Sequence, residues 1–205
     1  MKVRAAAVLP AAGSGRRLGG VRKAFLPLAG EPLLLHALRP FLAHPAFEWI
    51  VVAVHPEDAA SPPAWLAALA PRVAVVEGGA ERGESVERAL AAVPEAAEVV
   101  VVHDAARPLV TRELVDRTVE VAARGAGAVA AVRATDTVKE VDGRGRVVRT
   151  LDRDSLWHAQ TPQAFPRALL VEAYRRARAD GVRAPDDAAL VERCGGTVLV
   201  VEGSP

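Results

Sequence analysis

Residues 3–23, VRAAAVLPAAGSGRRLGGVRK, decide the fold. The apolar run Val3–Leu9 reads as a buried strand. A glycine-rich segment, Pro10–Gly20, follows at once, with Gly13, Gly15 and Gly19 spaced through it and Lys23 just behind. Glycines let the backbone turn sharply and let a ligand lie against N–H groups with no side chain in the way. Arg16, Arg17 and Lys23 put cations beside those donors. Amides and fixed positive charge at the end of a strand suit a polyphosphate. The competing reading is an ordinary strand-to-helix turn with a solvated basic face.

Spacing excludes two better-known glycine loops. A P-loop needs Lys and then Ser or Thr after its last glycine, whereas Gly19 is followed by Gly20 and Val21. The dinucleotide fingerprint needs a third glycine at 18, where Leu18 stands. What remains is A-A-G-x-G-x-R ending at Arg17, with Lys23 six residues on.

Working outward, apolar β-type runs recur at Trp49–Val54, Val73–Val76, Val99–Val102, Ala128–Val132 and Val198–Val201. Helical patterns lie at Pro32–Ala43, Pro63–Leu69, Ser85–Val93, Thr111–Ala123, Pro166–Ala179 and Pro185–Arg193. Strands that are apolar throughout, each followed by a helix, predict an α/β fold: a mostly parallel twisted sheet covered on both faces. Ligands in such folds bind beyond the carboxyl ends of the strands. AAGSGRR, EGGAERGES, HDAARP and RATDT all fall there. From about 134 the pattern changes: Thr137–Val141 and Val147–Thr150 flank Asp142-Gly143-Arg144-Gly145, a hairpin signal. An isolated hairpin is marginal in water, so residues 134–152 are expected to form an arm that packs on a second subunit. LDRDSLWHAQTPQAF, which follows, reads as irregular.

At 205 residues the chain is expected to be one domain, 1–205, with a full core. A formal charge of +1 gives no global field for nucleic acid. No apolar run is long enough to span a membrane, and MKVRAAAVLP reads as a first strand rather than a signal peptide. The single cysteine, Cys194, excludes an internal disulfide. Together these features suit a cytoplasmic protein. The five histidines show no metal-ligand spacing.

Two polar blocks hold candidate chemistry. Asp104, at the end of an all-valine strand, is placed to share Mg²⁺ with a triphosphate, with Arg107 meeting another phosphate. A turn cap and a solvated arginine are the plain alternatives. Gly79 permits close backbone approach, and Ser85 is either a helix N-cap or a contact to base or ribose.

AAGSGRR with Lys23, GGAERGES, HDAARP, DTVK (Asp136–Lys139) and DRDSLWHAQTPQ together resemble the 2-C-methyl-D-erythritol 4-phosphate cytidylyltransferase family of mevalonate-independent isoprenoid synthesis. The match runs from residue 3 to about 203. The resemblance implies a nucleotide-diphospho-sugar-transferase-like, Rossmann-like fold, a homodimer joined by the hairpin arm, CTP and a polyol phosphate as substrates, and a divalent cation, normally Mg²⁺. It places Arg17 and Lys23 as transition-state stabilisers. Ala11, Ala12, Gly13, Gly15, Gly79, Ala80, Ser85 and Ala105 fall on CTP-contacting positions. Asp104 falls at the reacting centre, and Arg107, Thr137, Arg153 and Thr161 where methylerythritol phosphate is held, some across the dimer. Ribitol-5-phosphate cytidylyltransferases share most of these motifs and are the alternative acceptor class. The pattern departs at Arg22 and Ala24, where the family usually has Pro and Gln. The family also continues past its last Glu-Gly with an Asp-x-x-Lys segment whose lysine holds phosphate. The sequence reaches Pro205 without it, which leaves a non-catalytic nucleotide-binding dimer as a further alternative.

Overall fold

The computed structural model describes residues 3–13 and 22–204. The predicted site residues Gly15 and Arg17, with Arg16 and Gly19, lie outside the described residues.

In chain order the elements are β1 (Ala5–Pro10), β2 (Pro27–Leu28), β3 (Glu31–Pro32), α1 (Leu33–Leu42), β4 (Phe47–Val54), α2 (Pro56–Ala60) and α3 (Ala64–Ala67). Next come β5 (Val73–Glu77), α4 (Arg82–Ala91), β6 (Val99–Val102), α5 (Arg112–Ala123), β7 (Gly127–Arg133), β8 (Lys139–Val141) and β9 (Val147–Thr150). The chain closes with β10 (Trp157–Pro166), α6 (Arg167–Ala179), α7 (Asp187–Arg193) and β11 (Val198–Glu202). A seven-stranded sheet runs β11-β7-β10-β6-β1-β4-β5. All its pairings are parallel except those of β10 with β6 and β7. The expected mostly parallel α/β sheet is what forms.

The predicted strands appear within two residues of their expected ends; β1, β4 and β6 are buried on both faces, whereas edge strand β11 leaves Leu199 and Val200 exposed. In β1, Ala5, Ala7 and Leu9 join one core with Leu34, Leu38 and Phe41 of α1 and Leu114, Val115 and Val119 of α5. Ala6 and Val8 join the other with Val86 and Leu90 of α4, Leu170 of α6 and Val191 of α7. Thr111 caps α5 through its hydroxyl, which accepts from the Leu114 N–H at 3.2 Å.

Two expectations need correction. LDRDSLWHAQTPQAF is not irregular: its second half is β10, paired on both sides inside the sheet. Its polar residues disguise it because their partners lie far away in sequence. Gln163 is buried, donates to Asp186 at 2.9 Å and accepts from the Ala188 N–H at 3.0 Å, so a glutamine in mid-sheet holds the start of α7. The second correction concerns Ser85. The helix begins at Arg82 with Glu81 as N-cap, so Ser85 stands inside the first turn and not at the cap.

The predicted hairpin forms as β8 and β9. Asp142 Oδ1 accepts from the N–H groups of Arg144 and Arg146, each at 2.9 Å, and Gly145 takes the positive φ of 77° that closes the turn. Val141, Val147 and Val148 on the arm are exposed. Among the described residues no helix is long and apolar enough to cross a membrane.

Candidate active site

The chain runs β1, β4, β5 to one side of the sheet, then returns to β6 on the other side of β1. Crevices in open α/β sheets form at such a reversal, outside the carboxyl ends of the strands. A cavity of about 650 Å³ lies there. The segment after β1 contributes Ala11, Ala12, Gly13 and Lys23; the loop after β5 contributes Gly79, Ala80, Arg82 and Ser85; the loop after β6 contributes Asp104, Ala105 and Arg107. Every described residue expected to touch nucleotide is therefore on one cavity wall.

Close packing of two of these segments depends on Gly78. A methyl group there would sit 2.3 Å from Ala12 Cβ and 3.2 Å from the Val54 carbonyl. The loop beyond it is held by its own helix. Gly79 N–H donates to Ser85 Oγ at 3.1 Å, Ser85 Oγ donates to the Glu81 carbonyl at 3.0 Å, and Ala80 N–H donates to Glu84 at 2.9 Å. Ser85 is thus a buried brace for the loop, and a ligand lying on Gly79 and Ala80 meets a surface whose amides are already paired.

Asp104 is the most constrained group at the rim. Its Oδ1 accepts from Arg82 Nε at 3.0 Å and its Oδ2 from Arg107 Nε at 3.3 Å. Burial pushes its carboxyl up, but the two guanidiniums outweigh burial and hold it below the usual carboxylate range. Beneath it, Asp104 N–H donates to Thr161 Oγ1 at 3.0 Å, and Thr161 meets His103 Nδ1 at 3.0 Å. His103 Nε2 lies 3.0 Å from the Arg107 carbonyl, which only accepts, so the proton is on Nε2 and the Thr161 hydroxyl donates to Nδ1. Burial lowers His103 to about 4, so it is neutral in this network.

Arg82 is a residue that sequence reasoning missed. It bridges Asp104 to the fully buried Asp187, with Nη1 donating to Asp187 Oδ2 at 2.8 Å. Tyr174 OH donates to the other Asp187 oxygen at 2.5 Å. Burial and the adjacent Asp187 charge both push the tyrosine hydroxyl up, so it stays protonated and donating. No local signal marks Arg82; its partner lies 105 residues on.

The remaining expected residues divide. Arg107 lines the cavity. Thr161 is buried under Asp104 and supports it. Thr137 is exposed near the base of the arm, and Arg153 Nη1 donates to the Thr135 carbonyl at 3.1 Å; neither lines this cavity. Among the described residues there is no cluster of three or more His, Cys, Asp or Glu able to cage a metal. Among the described residues that line the cavity the carboxylates are Glu81 and Asp104, a set of the size that Mg²⁺ uses when phosphate oxygens complete its shell.

Comparison with known proteins agrees with this geometry. The family model for 2-C-methyl-D-erythritol 4-phosphate cytidylyltransferase matches residues 5–205. The enzyme of that name from Symbiobacterium thermophilum is 45% identical over 207 residues, spanning 100% of this chain and 86% of the relative. The crystal structure of the 2-C-methyl-D-erythritol 4-phosphate cytidylyltransferase of Thermus thermophilus superposes with a TM-score of 0.81 at 38% identity, covering 100% of this chain and 90% of that one. The 4-diphosphocytidyl-2C-methyl-D-erythritol synthase of Anaerococcus prevotii gives a TM-score of 0.88 at 27% identity, covering 99% and 88%. A rim built from these loops, on this strand order, in a chain matched along nearly its whole length, places the protein in the 2-C-methyl-D-erythritol 4-phosphate cytidylyltransferase family.

Proposed function

We propose that this chain transfers CMP from CTP to the phosphate of 2-C-methyl-D-erythritol 4-phosphate, releasing pyrophosphate, as a cytoplasmic step in isoprenoid-precursor synthesis. The observation that supports it is the convergence of Ala11–Gly13, Lys23, Gly79–Arg82 and Asp104–Arg107 on one cavity at the carboxyl rim. A nucleoside triphosphate there sets its phosphates against the glycine segment and Lys23, with the loop after β5 beneath its nucleoside.

A phosphate-monoester oxygen of the acceptor attacks the α-phosphorus in line. The new P–O bond forms as the α–β bridging bond breaks, and that electron pair leaves with pyrophosphate. The nucleophile is already an anion, so no residue needs to remove a proton. The protein's work is orientation and neutralisation of charge. Lys23 faces the charge that grows on the leaving group, and the family resemblance assigns Arg17 the same role. Arg107, fixed by Asp104, meets the acceptor phosphate. Asp104 would hold Mg²⁺ together with phosphate oxygens, and the ion then supplies charge neutralisation along the triphosphate.

The arm supports a homodimer. A two-stranded sheet is marginal alone, and its exposed Val141, Val147 and Val148 offer an apolar surface to a second copy. In that dimer Thr137 and Arg153 approach the acceptor phosphate of the partner's site.

The test is pyrophosphate release from CTP with methylerythritol phosphate and ribitol phosphate in parallel. Turnover confined to methylerythritol phosphate is expected. A preference for ribitol phosphate, or CTP binding with no pyrophosphate release from either, would overturn the assignment.

A further inference from the structure

Between the loop after β1 and the start of α2 lies a charged cluster outside the cavity wall. Arg22 donates to Asp58 and to Glu57, and its Nη2 approaches His55 Nδ1 at 3.2 Å. A guanidinium only donates, so His55 Nδ1 accepts; it also accepts from the Glu57 N–H at 3.4 Å, as the N-cap of α2. Both segments emerge from the carboxyl ends of neighbouring strands, β1 and β4.

Surface ion pairs of this type contribute little when both partners are solvated. Here the Arg22 side chain is 25% exposed and Asp58 14%. Asp58 Oδ2 is buried without a hydrogen-bond partner among the described residues. A carboxylate so placed depends on its cation, and a guanidinium donating to several acceptors at once is fixed in direction as well as position.

What Arg22 precedes gives the cluster its consequence. It is the N-cap of the 3₁₀ turn Lys23–Phe25, and its carbonyl accepts from the Phe25 N–H at 3.0 Å. The other side of the turn is also gripped. Ala24 is buried, and the Phe25 ring meets Trp65 edge-on at 6.1 Å. Lys23 alone is exposed, on the cavity wall. A lysine is a point charge on a four-carbon stem with many rotamers. Fixing its backbone from both sides limits where its ammonium can go.

We propose that Arg22 is a positioning residue for Lys23, clamped to α2 by Asp58, Glu57 and His55. The proposal rests on the reading of Lys23 as a phosphate contact. Arg22→Asp and Asp58→Arg should each lower kcat/KM for CTP by on the order of tenfold to a hundredfold, the range expected when a catalytic group is displaced by a fraction of an ångström to an ångström. The double exchange, Arg22→Asp with Asp58→Arg, should recover most of that loss. In a Lys23→Ala background, Arg22→Asp should cost almost nothing further, because residues acting through one group are not additive. Single variants with wild-type kcat/KM, an exchange no better than either single, or an equal loss in both backgrounds would overturn the clamp. Calorimetric CTP affinities across the same proteins read the clamp without turnover. Absence of pyrophosphate release from the wild type would instead count against the nucleotidyltransfer reading.

Discussion

Arg82 and Asp187, 105 residues apart in sequence, meet at 2.8 Å beneath the cavity, and the carboxylate of that pair is completely buried. Through this pair the start of α7 holds the arginine that holds Asp104. Taking a carboxylate fully out of water is costly, and the cost is offset only while its partners remain. Among the described residues Asp187 has two, Arg82 and Tyr174.

Removing Arg82 should therefore damage stability and the site together. Arg82→Ala leaves a buried charge without its cation, and breaking such a pair costs about 3–5 kcal/mol. Urea unfolding should report a loss in that range. Asp187→Asn with Arg82→Gln, which removes both charges while keeping hydrogen-bonding groups, should be less destabilised than Arg82→Ala alone.

His103 gives a pH dependence with a definite sign. Its folded value, about 4, lies below the ordinary 6.5, so between these limits the unfolded chain binds a proton that the folded chain does not. Stability then rises with pH across the window and falls as pH drops from about 6.5 toward 4. At pH 4.5 the loss relative to pH 7 should be about 2–3 kcal/mol from this residue. Unfolding of wild type and His103→Gln at the two pH values isolates the contribution. An equal loss in both proteins would assign it to carboxylates.

Gly78→Ala should separate two loops that share the cavity wall. The added methyl meets Ala12 Cβ at 2.3 Å and the Val54 carbonyl at 3.2 Å, and neither is the far end of a flexible side chain. Overpacking of this kind costs about 1–3 kcal/mol, and CTP affinity should fall with it. Gly83→Ala, in α4 with nothing within 4 Å of the new carbon, is the control and should be neutral or slightly stabilising. Calorimetric CTP titration of the two variants distinguishes them.

The parts of this fold that sequence makes legible are those whose surroundings are uniform. Val99–Val102 has cores on both faces, so any reading of apolar runs finds it. Thr111 announces α5 through local capping chemistry. The glycine segment and HDAARP stand out because chain reversal and phosphate binding both demand unusual residues. What stayed hidden depends on distant partners. β10 carries Thr161 and Gln163 into the interior, satisfied by His103 and Asp186, and polarity alone marks such a stretch as surface. Arg82 reads as one more solvated arginine until α7 brings Asp187 to it. A serine before an apolar run suggests a cap, one of the two roles open to Ser85 from sequence, whereas the helix starts three residues earlier at Arg82.

Lys23 offers the most direct test of the central claim, that positive charge at the end of β1 stabilises the departing pyrophosphate. Steady-state pyrophosphate release should be compared for wild type and Lys23→Ala at saturating CTP and 2-C-methyl-D-erythritol 4-phosphate. Loss of one such electrostatic contact is expected to lower kcat by roughly 10²–10³-fold. Turnover of the variant at the wild-type rate would contradict the account.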